Sequence, residues 1–251
     1  CANGRNGTGG NVNNNDFTMV YVDVDGDAST FSSSTANLAL PVGATVLWAG
    51  LYWGGESANA ARNTVRFGTP VAAYATITAG QFDANASDYS AIADVTNQVR
   101  LGGNGTYRVA NVYSTPNQTN KHGGWALVVV YNLNSLPLRN LVVFDGYAHV
   151  NNGTNVTINV NGFLTPPAGL VNSRLGVVAF EGDLGLVGDR YLLNGTVVDD
   201  ARNPTNNFFN SSISLLGASF AAKNPNYLNQ LGFDADIVST AGILPNGANS
   251  A

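Results

Sequence analysis

The stretch VLWAGLYW, residues 46–53, decides the fold of this chain. It is a nearly continuous apolar run, and Gly54-Gly55 ends it. A short run without polar alternation, bounded by glycines, is typical of a β-strand that is buried on both faces. We therefore predict a strand that is buried on both faces over residues 45–53.

Outside this stretch the chain is rich in turn-forming residues and poor in charge. Its 251 residues include 34 Asn and 29 Gly but two Lys and two Glu. Lys and Glu favour exposed helix faces, whereas Asn and Gly favour turns. The composition therefore predicts an all-β protein with long Asn/Gly-rich loops, and it is typical of extracellular or cell-surface proteins.

Further strands are predicted where short apolar or alternating runs are bounded by turn signals such as Asn194-Gly195. Their spacing of roughly 10–15 residues is typical of a sandwich or jelly roll. We predict a single antiparallel β-sandwich that resembles a jelly roll. Segments 89–99 and 211–220 fit either a strand or a short helical turn. The predicted strands cover residues 17–24, 38–40, 64–67, 72–77, 106–113, 125–132, 141–147, 155–160, 174–179 and 190–193.

The two ends of the chain differ from this pattern. Residues 1–15 are rich in Gly and Asn and are predicted to form a flexible leader, so that residues 16–251 form the domain. Residues 243–251 resemble a turn that leads into a further strand, so we expect the domain to be a fragment of a longer chain. Cys1 is the only cysteine, which suggests a lipid anchor, an intermolecular bond or a free thiol.

The charge balance argues against two classes of partner. The net charge is −5 and the isoelectric point is near 4.7. Binding to nucleic acid or to an anionic membrane needs clustered Lys and Arg, which this chain lacks. It also has no apolar run long enough for a transmembrane segment.

Acidic clusters predict a calcium site. In residues 23–27, aspartates alternate around Gly26, so that several carboxylates can converge on one cation. The alternative is that these aspartates cap turns by accepting local backbone hydrogen bonds. Two further clusters are candidates to complete the cage, and the full set of predicted ligands is Asp23, Asp25, Asp27, Glu181, Asp183, Asp189, Asp234 and Asp236.

Glycoside hydrolysis and carbohydrate binding are two further functions for which the chain has candidate residues. Glycoside hydrolysis needs a pair of carboxylates, and Glu56 or Glu181 could pair with Asp145 or Asp183. His122 and His149 are expected to be ordinary surface or loop residues. Carbohydrate binding needs exposed aromatic rings, although most of the candidates belong to the buried run. The candidate rings are Trp48, Tyr52, Trp53, Trp125 and Tyr147.

Several stretches together resemble the N-terminal β-domain of large bacterial surface proteins that carry DUF11-type repeats. The resemblance implies an exported domain associated with the cell wall or matrix, and it implies no known activity. Family members tend to have a further cysteine upstream, which would make Cys1 half of a disulfide. The matching stretches are 13–17, 22–27, 44–55 (ATVLWAGLYWGG), 93–96, 124–131 (GWALVVVY), 138–146 (LRNLVVFDG), 231–237 and 243–251.

These observations favour a non-catalytic structural or adhesive module of a bacterial surface protein or filament, stabilised by calcium. Its expected partners are neighbouring copies or other surface proteins, bound through sheet edges, because the unpaired groups of an edge strand accept an added strand. A carbohydrate-binding module that recognises glycans is the first alternative, and a glycoside hydrolase is the second.

Overall fold

A computed structural model describes residues 1–150 and 153–251. Within these residues the chain is almost entirely β, which confirms the predicted all-β class. Two short helices, α1 (Ala2–Arg5) and α2 (Thr96–Gly102), and a 3₁₀ turn (Asn14–Asp16) accompany the strands. The strands are β1 (Ser33–Leu38), β2 (Thr45–Glu56), β3 (Thr64–Thr69), β4 (Ala72–Thr78), β5 (Gln81–Asn85), β6 (Asp88–Asp94), β7 (Gly105–Ala110), β8 (Gly123–Asn132), β9 (Arg174–Phe180), β10 (Tyr191–Leu193), β11 (Thr196–Val198), β12 (Ile213–Leu215), β13 (Ala218–Ser219), β14 (Lys223–Asn224) and β15 (Phe233–Ser239).

The strands form three main sheets and one small hairpin. The first sheet has the order β14-β1-β7-β3-β4, the second β5-β6-β2-β8 and the third β13-β12-β15-β9, while β10 pairs with β11. These neighbours are antiparallel except for β12 and β15, which run parallel. The sandwich-like architecture therefore gathers the N-terminal half in the first two sheets and most of the C-terminal half in the third.

The apolar run of residues 46–53 lies in β2, as predicted, with β6 on one side and β8 on the other. Alternate side chains, those of Ala49, Leu51 and Trp53, are fully buried in the main core. On the opposite face Trp48 and Tyr52 are only half-buried. The prediction of burial on both faces is therefore wrong for the second face, because the extended segment 138–150 covers it only in part.

A pair of glycines joins the second sheet to the third. Gly54 of β2 lies opposite Gly124 of β8. A Cβ atom on Gly124 would lie 2.5 Å from the ring of Phe233, and one on Gly54 would lie 2.7 Å from the ring of Phe180. The two rings pack against each other with centroids 5.5 Å apart. The absence of two side chains thus creates the space that the aromatic pair fills.

Three predicted strands are absent, although all of their residues are described. Residues 17–24 make one isolated bridge, Thr18 to Thr119, instead of a ladder. Residues 141–147 and 155–160 are extended but form no strand. The physical reason for 141–147 is that this segment crosses the face of the second sheet, where backbone groups of β2 and β6 are already paired.

The first fifteen residues, predicted to be a flexible leader, are hydrogen-bonded to the loop that precedes β15. The amide of Asn229 donates to the carbonyl oxygens of Gly4, at 3.0 Å, and Val12, at 2.7 Å. Gly4 and Asn14 are buried.

The structure also decides the two segments that fit either a strand or a helical turn. Segment 89–99 contains most of β6 and the start of α2, and segment 211–220 contains β12 and β13.

Candidate functional site

The first acidic cluster, residues 23–27, lies on the surface beside β1 and β4. The Ser33 hydroxyl donates to Asp23 at 2.6 Å, and the Tyr74 hydroxyl donates to Asp25 at 2.5 Å. Asp27 accepts a backbone N–H of its own turn. Slight burial raises the pKa of Asp25, but the hydrogen bonds from Tyr74 and from the turn outweigh it and lower the pKa below its usual value. These oxygens act in turn capping and side-chain contacts.

The second cluster follows β9. Asp183 is buried and accepts the backbone N–H of Asn14 at 2.6 Å. Asp189 accepts the backbone N–H of Phe209 at 2.6 Å. Partial burial, and then the charge of Asp183, raise the pKa of Glu181 to about 7. The carboxylates of this cluster therefore attach the N-terminal segment and the loop before β12 to the third sheet.

The third cluster lies inside the third sheet. Asp234 and Asp236 are on the same face of β15 and have exposed fractions of 0% and 2%. Asp234 Oδ1 accepts the backbone N–H of Ser212 at 2.9 Å, and Asp236 Oδ1 accepts the hydroxyl of Ser214 at 2.6 Å. The Oδ2 atom of each has no hydrogen-bond partner. Burial, and then the charge of Asp236, raise the pKa of Asp234 well above its usual value, and burial raises the pKa of Asp236 to about 6.

Three further buried oxygens, in the loop before β12, also lack partners. We call the set the buried oxygen cluster: Asp200 Oδ2, Asn207 Oδ1, Asn210 Oδ1, Asp234 Oδ2 and Asp236 Oδ2. A chain of hydrogen bonds links Asp200 to Asp236. Asn203 Nδ2 donates to Asp200 at 3.2 Å and to the hydroxyl of Ser214, which in turn donates to Asp236. Buried polar atoms without partners are costly, so their accumulation requires an explanation.

The structure separates the predicted calcium ligands. The first cluster is bound to residues of the first sheet, whereas Asp234 and Asp236 are bound to residues of the third. Over residues 1–150 and 153–251, no group of three or more His, Cys, Asp and Glu side chains is arranged to hold a metal ion. A cation at the buried oxygen cluster would therefore need amide oxygens, which calcium accepts beside carboxylates. The asparagines of this cluster were not found from the sequence, because Asn in loops is so common in this chain.

The candidate hydrolase residues are engaged elsewhere. Glu56 forms an ion pair with Lys121 at 2.5 Å. Asp145 accepts the hydroxyl of Tyr52, and His149 lies 3.6 Å from Asp88. His122 lies in a loop, as expected, but it is buried, with an exposed fraction of 6%. Its segment runs beneath the N-terminal segment, and burial lowers the pKa of the imidazole.

The candidate sugar-binding rings are dispersed. Trp53 is fully buried, and Tyr147 lies in the segment over the second sheet. Trp125 is half-buried and lines a cleft of about 170 Å³ between residues 17–22 and β1. Asn14 and His122 also line this cleft. This cleft has no signal in the sequence, because its walls come from segments that are distant along the chain.

No helix in the described part of the chain is both long and apolar enough to cross a membrane. Comparison of the chain with protein-family models, with curated proteins and with solved structures finds no match.

Proposed function

We propose that this chain is a non-catalytic extracellular module of a bacterial surface protein or filament, with a structural or adhesive role, and that it associates with copies of itself. The observation that carries the proposal is an exposed apolar segment, residues 136–144. Leu138 in this segment is 98% exposed, and Leu136, Leu141 and Phe144 are also exposed. Contiguous exposed apolar surface on a folded protein marks an interaction site.

This segment has the character of an unpaired strand. It is extended, and polar contacts at its far end hold it over the second sheet, where Tyr52 donates to Asp145 and His149 approaches Asp88. Val142 and Val143 within the segment are exposed as well, so both faces of the extended segment are accessible. Such a segment gains backbone hydrogen bonds and apolar burial when it is added to a sheet edge.

The same chain has unpaired sheet edges to which segment 136–144 can be added. Among the described residues, β8 pairs with β2 alone and β9 pairs with β15 alone, so each strand has an unpaired edge. Donor and acceptor therefore occur together in one molecule, and the occupant that this arrangement favours is a second copy. Association of this kind suits a module that is repeated along a cell surface.

Sedimentation velocity over a range of concentrations tests the proposal. The wild-type chain is expected to associate as concentration rises, and Val143→Lys/Phe144→Lys is expected to weaken association because charge opposes burial. The matched control is Val71→Lys/Leu101→Lys, which changes two apolar residues that are exposed elsewhere. A wild-type chain that stays monomeric and folded at the highest concentration would refute the proposal, as would equal loss of association in the control.

A second proposed property is stabilisation by calcium at the buried oxygen cluster. Five buried oxygens without partners, three of them carboxylate oxygens, support it. Carboxylate and amide oxygens are the ligands that calcium prefers. A cation would give these atoms partners and would favour the ionised carboxylates, whose pKa values burial otherwise raises. A thermal melt with calcium and with a chelator tests this property, and identical melts would contradict it.

A further inference from the structure

The free edge of β9 has backbone groups whose directions follow from its ladder with β15. At one end of this ladder the N–H of Thr240 donates to the carbonyl oxygen of Ser173. At the other end the N–H of Glu181 donates to the carbonyl oxygen of Gly232. Hydrogen-bonded and non-hydrogen-bonded pairs alternate along an antiparallel ladder, so the odd-numbered residues of β9 bond to β15. The residues whose N–H and C=O groups point to the free edge are therefore Arg174, Gly176 and Val178.

Residues 141–145 have the complementary property of an unpaired strand. They are extended, and their N–H and C=O groups form no backbone hydrogen bond within the described part of the chain. Their apolar side chains are exposed on both faces. Backbone groups that only water satisfies can form a ladder with an edge strand instead. Residues 141–145 are therefore able to extend a sheet by one strand.

Charge selects the orientation and register of this addition. Arg174 is exposed, and it belongs to no ion pair among the described residues. Asp145 is exposed and accepts the hydroxyl of Tyr52, but a carboxylate can accept about four hydrogen bonds. Opposite charges that face each other across two strands attract. An antiparallel register with Asp145 opposite Arg174 also gives the pairs Val143–Gly176 and Leu141–Val178.

This register buries both faces of the added segment. On one face Val143 would lie beside Gly176, where a Cβ atom would be 3.7 Å from Cγ1 of Ile237. Ile237 is exposed, so Val143 would cover it across the glycine. On the other face the segment would extend the small core of the third sheet, against which Leu175 and Val177 already pack. The pairs on that face are Phe144–Leu175 and Val142–Val177.

The free edge of β8 fits the segment less well. The N–H of Glu56 donates to the carbonyl oxygen of His122, so the edge groups of β8 belong to its odd-numbered residues. Side chains at these positions, such as Val129, pack into the main core. Residues 123–125 also line a cleft with residues 17–22, so one end of this edge faces the N-terminal segment. Finally, β8 contains no charged residue that could select a register.

The segment of the same chain does not have this arrangement. Arg139 Nη1 donates to the carbonyl oxygen of Asn172 at 3.2 Å, which places residue 139 near the Arg174 end of β9. Asp145 lies over β2, where it accepts the hydroxyl of Tyr52. The register described above needs Asp145, and not Arg139, at the Arg174 end. The strand that satisfies it therefore comes from another molecule.

We propose that residues 141–145 of one copy pair antiparallel with the free edge of β9 in a second copy, with Asp145 opposite Arg174. This inference rests on the self-association proposed above, and it identifies the strand that receives the segment.

Disulfide formation between two variants tests the register. Residues that are directly opposite in a hydrogen-bonded pair have Cα atoms about 5.5 Å apart, a distance that a disulfide spans. With Cys1→Ser in both chains, a mixture of Gly176→Cys and Val143→Cys is expected to form cross-linked heterodimers under mild oxidation. The matched control mixes Val178→Cys with Val143→Cys, a diagonal pair about 7–8 Å apart, and is expected to cross-link much less. Equal cross-linking in both mixtures, or no heterodimer in the first, would overturn the proposal.

A charge exchange gives a second test that does not depend on cysteine. Arg174→Asp is expected to raise the dissociation constant of self-association about tenfold, because it places two carboxylates opposite each other. Arg174→Asp/Asp145→Arg restores an opposite pair and is expected to recover most of the affinity, and Arg190→Asp, at an exposed arginine elsewhere, is the control. A wild-type chain that stays monomeric overturns the self-association itself. A chain that associates equally well with Arg174→Asp overturns only the assignment to β9.

Discussion

Replacing Asp236 by Asn separates the two explanations of the buried oxygen cluster. Burial raises the pKa of Asp236 from 3.8 to about 6. Each pKa unit corresponds to about 1.4 kcal/mol, so ionising this side chain in the folded protein costs about 3 kcal/mol at pH 7. The side chain is 2% exposed, so solvent screening does not reduce this figure much.

The direction in which stability changes with pH follows from the raised pKa of Asp236. Because the folded state binds the proton more tightly, stability is highest below pH 3.8, falls as the pH rises to about 6 and is then constant. Asn keeps the oxygen that accepts the Ser214 hydroxyl but carries no charge. In a chelator at pH 7, Asp236→Asn is therefore expected to be more stable than the wild type by up to about 3 kcal/mol.

Calcium is expected to remove most of this difference. A ligand at 100 times its dissociation constant stabilises the folded state by about 2.7 kcal/mol. The wild type should gain stability of this size with calcium, and Asp236→Asn should gain much less because one ligand oxygen is missing.

Urea unfolding at pH 4 and pH 7, with calcium and with chelator, measures these changes, and Asp199→Asn, at an exposed aspartate, is the control. A variant that is less stable than the wild type in chelator at pH 7 would refute the ionisation cost. Equal calcium effects in both proteins would refute a cation at this cluster.

Three further changes test other parts of the structure. Gly124→Val is expected to destabilise the fold by about 1–3 kcal/mol because its side chain would collide with Phe233, whereas Gly146→Ala, with no atom near its Cβ position, should change the melting temperature little. Asp25→Ala should lower stability by about 1 kcal/mol with or without calcium, because it removes the hydrogen bond from Tyr74. If calcium stabilises the wild type but not this variant, the cation lies at residues 23–27 instead. Gly232→Ala should destabilise the fold by about 1–3 kcal/mol because its φ is +104° and its Cβ would lie 2.8 Å from His122 Cβ; a melting temperature equal to that of the wild type would contradict this.

The sequence predicted the class of the fold and most strands of the first two sheets, because those strands bury apolar residues in simple patterns. It failed for β15, where Asp234 and Asp236 alternate on the inward face. In the sequence, a strand with inward-facing aspartates has the same pattern as an exposed strand or a loop. Only the pairing of β15 with β9 and β12 shows that these aspartates are buried. The prediction for residues 141–147 was wrong for the opposite reason. The apolar pattern of this segment predicts a strand, but within the described residues no strand pairs with its backbone.

The candidate sites show the same limit. The acidic residues were visible in the sequence, and each predicted cluster contains hydrogen-bonded carboxylates. Which of them are buried depends on contacts between distant segments, such as Asn14 with Asp183. The cleft was not predictable, because Asn14, His122 and Trp125 become neighbours only after three segments fold together.

The two-residue strand β14 has a consequence for the order in which the chain folds. It pairs with β1 at the edge of the first sheet, and Asn229 just beyond it holds Gly4 and Val12. As the chain emerges from the ribosome, β1 can pair first with β7, but the N-terminal segment must wait for Asn229, which lies 225 residues after Gly4 and 217 residues after Val12. Long loops of this kind slow folding because their closure entropy precedes any gain from contact. The N-terminal segment is thus synthesised long before the residue that holds it.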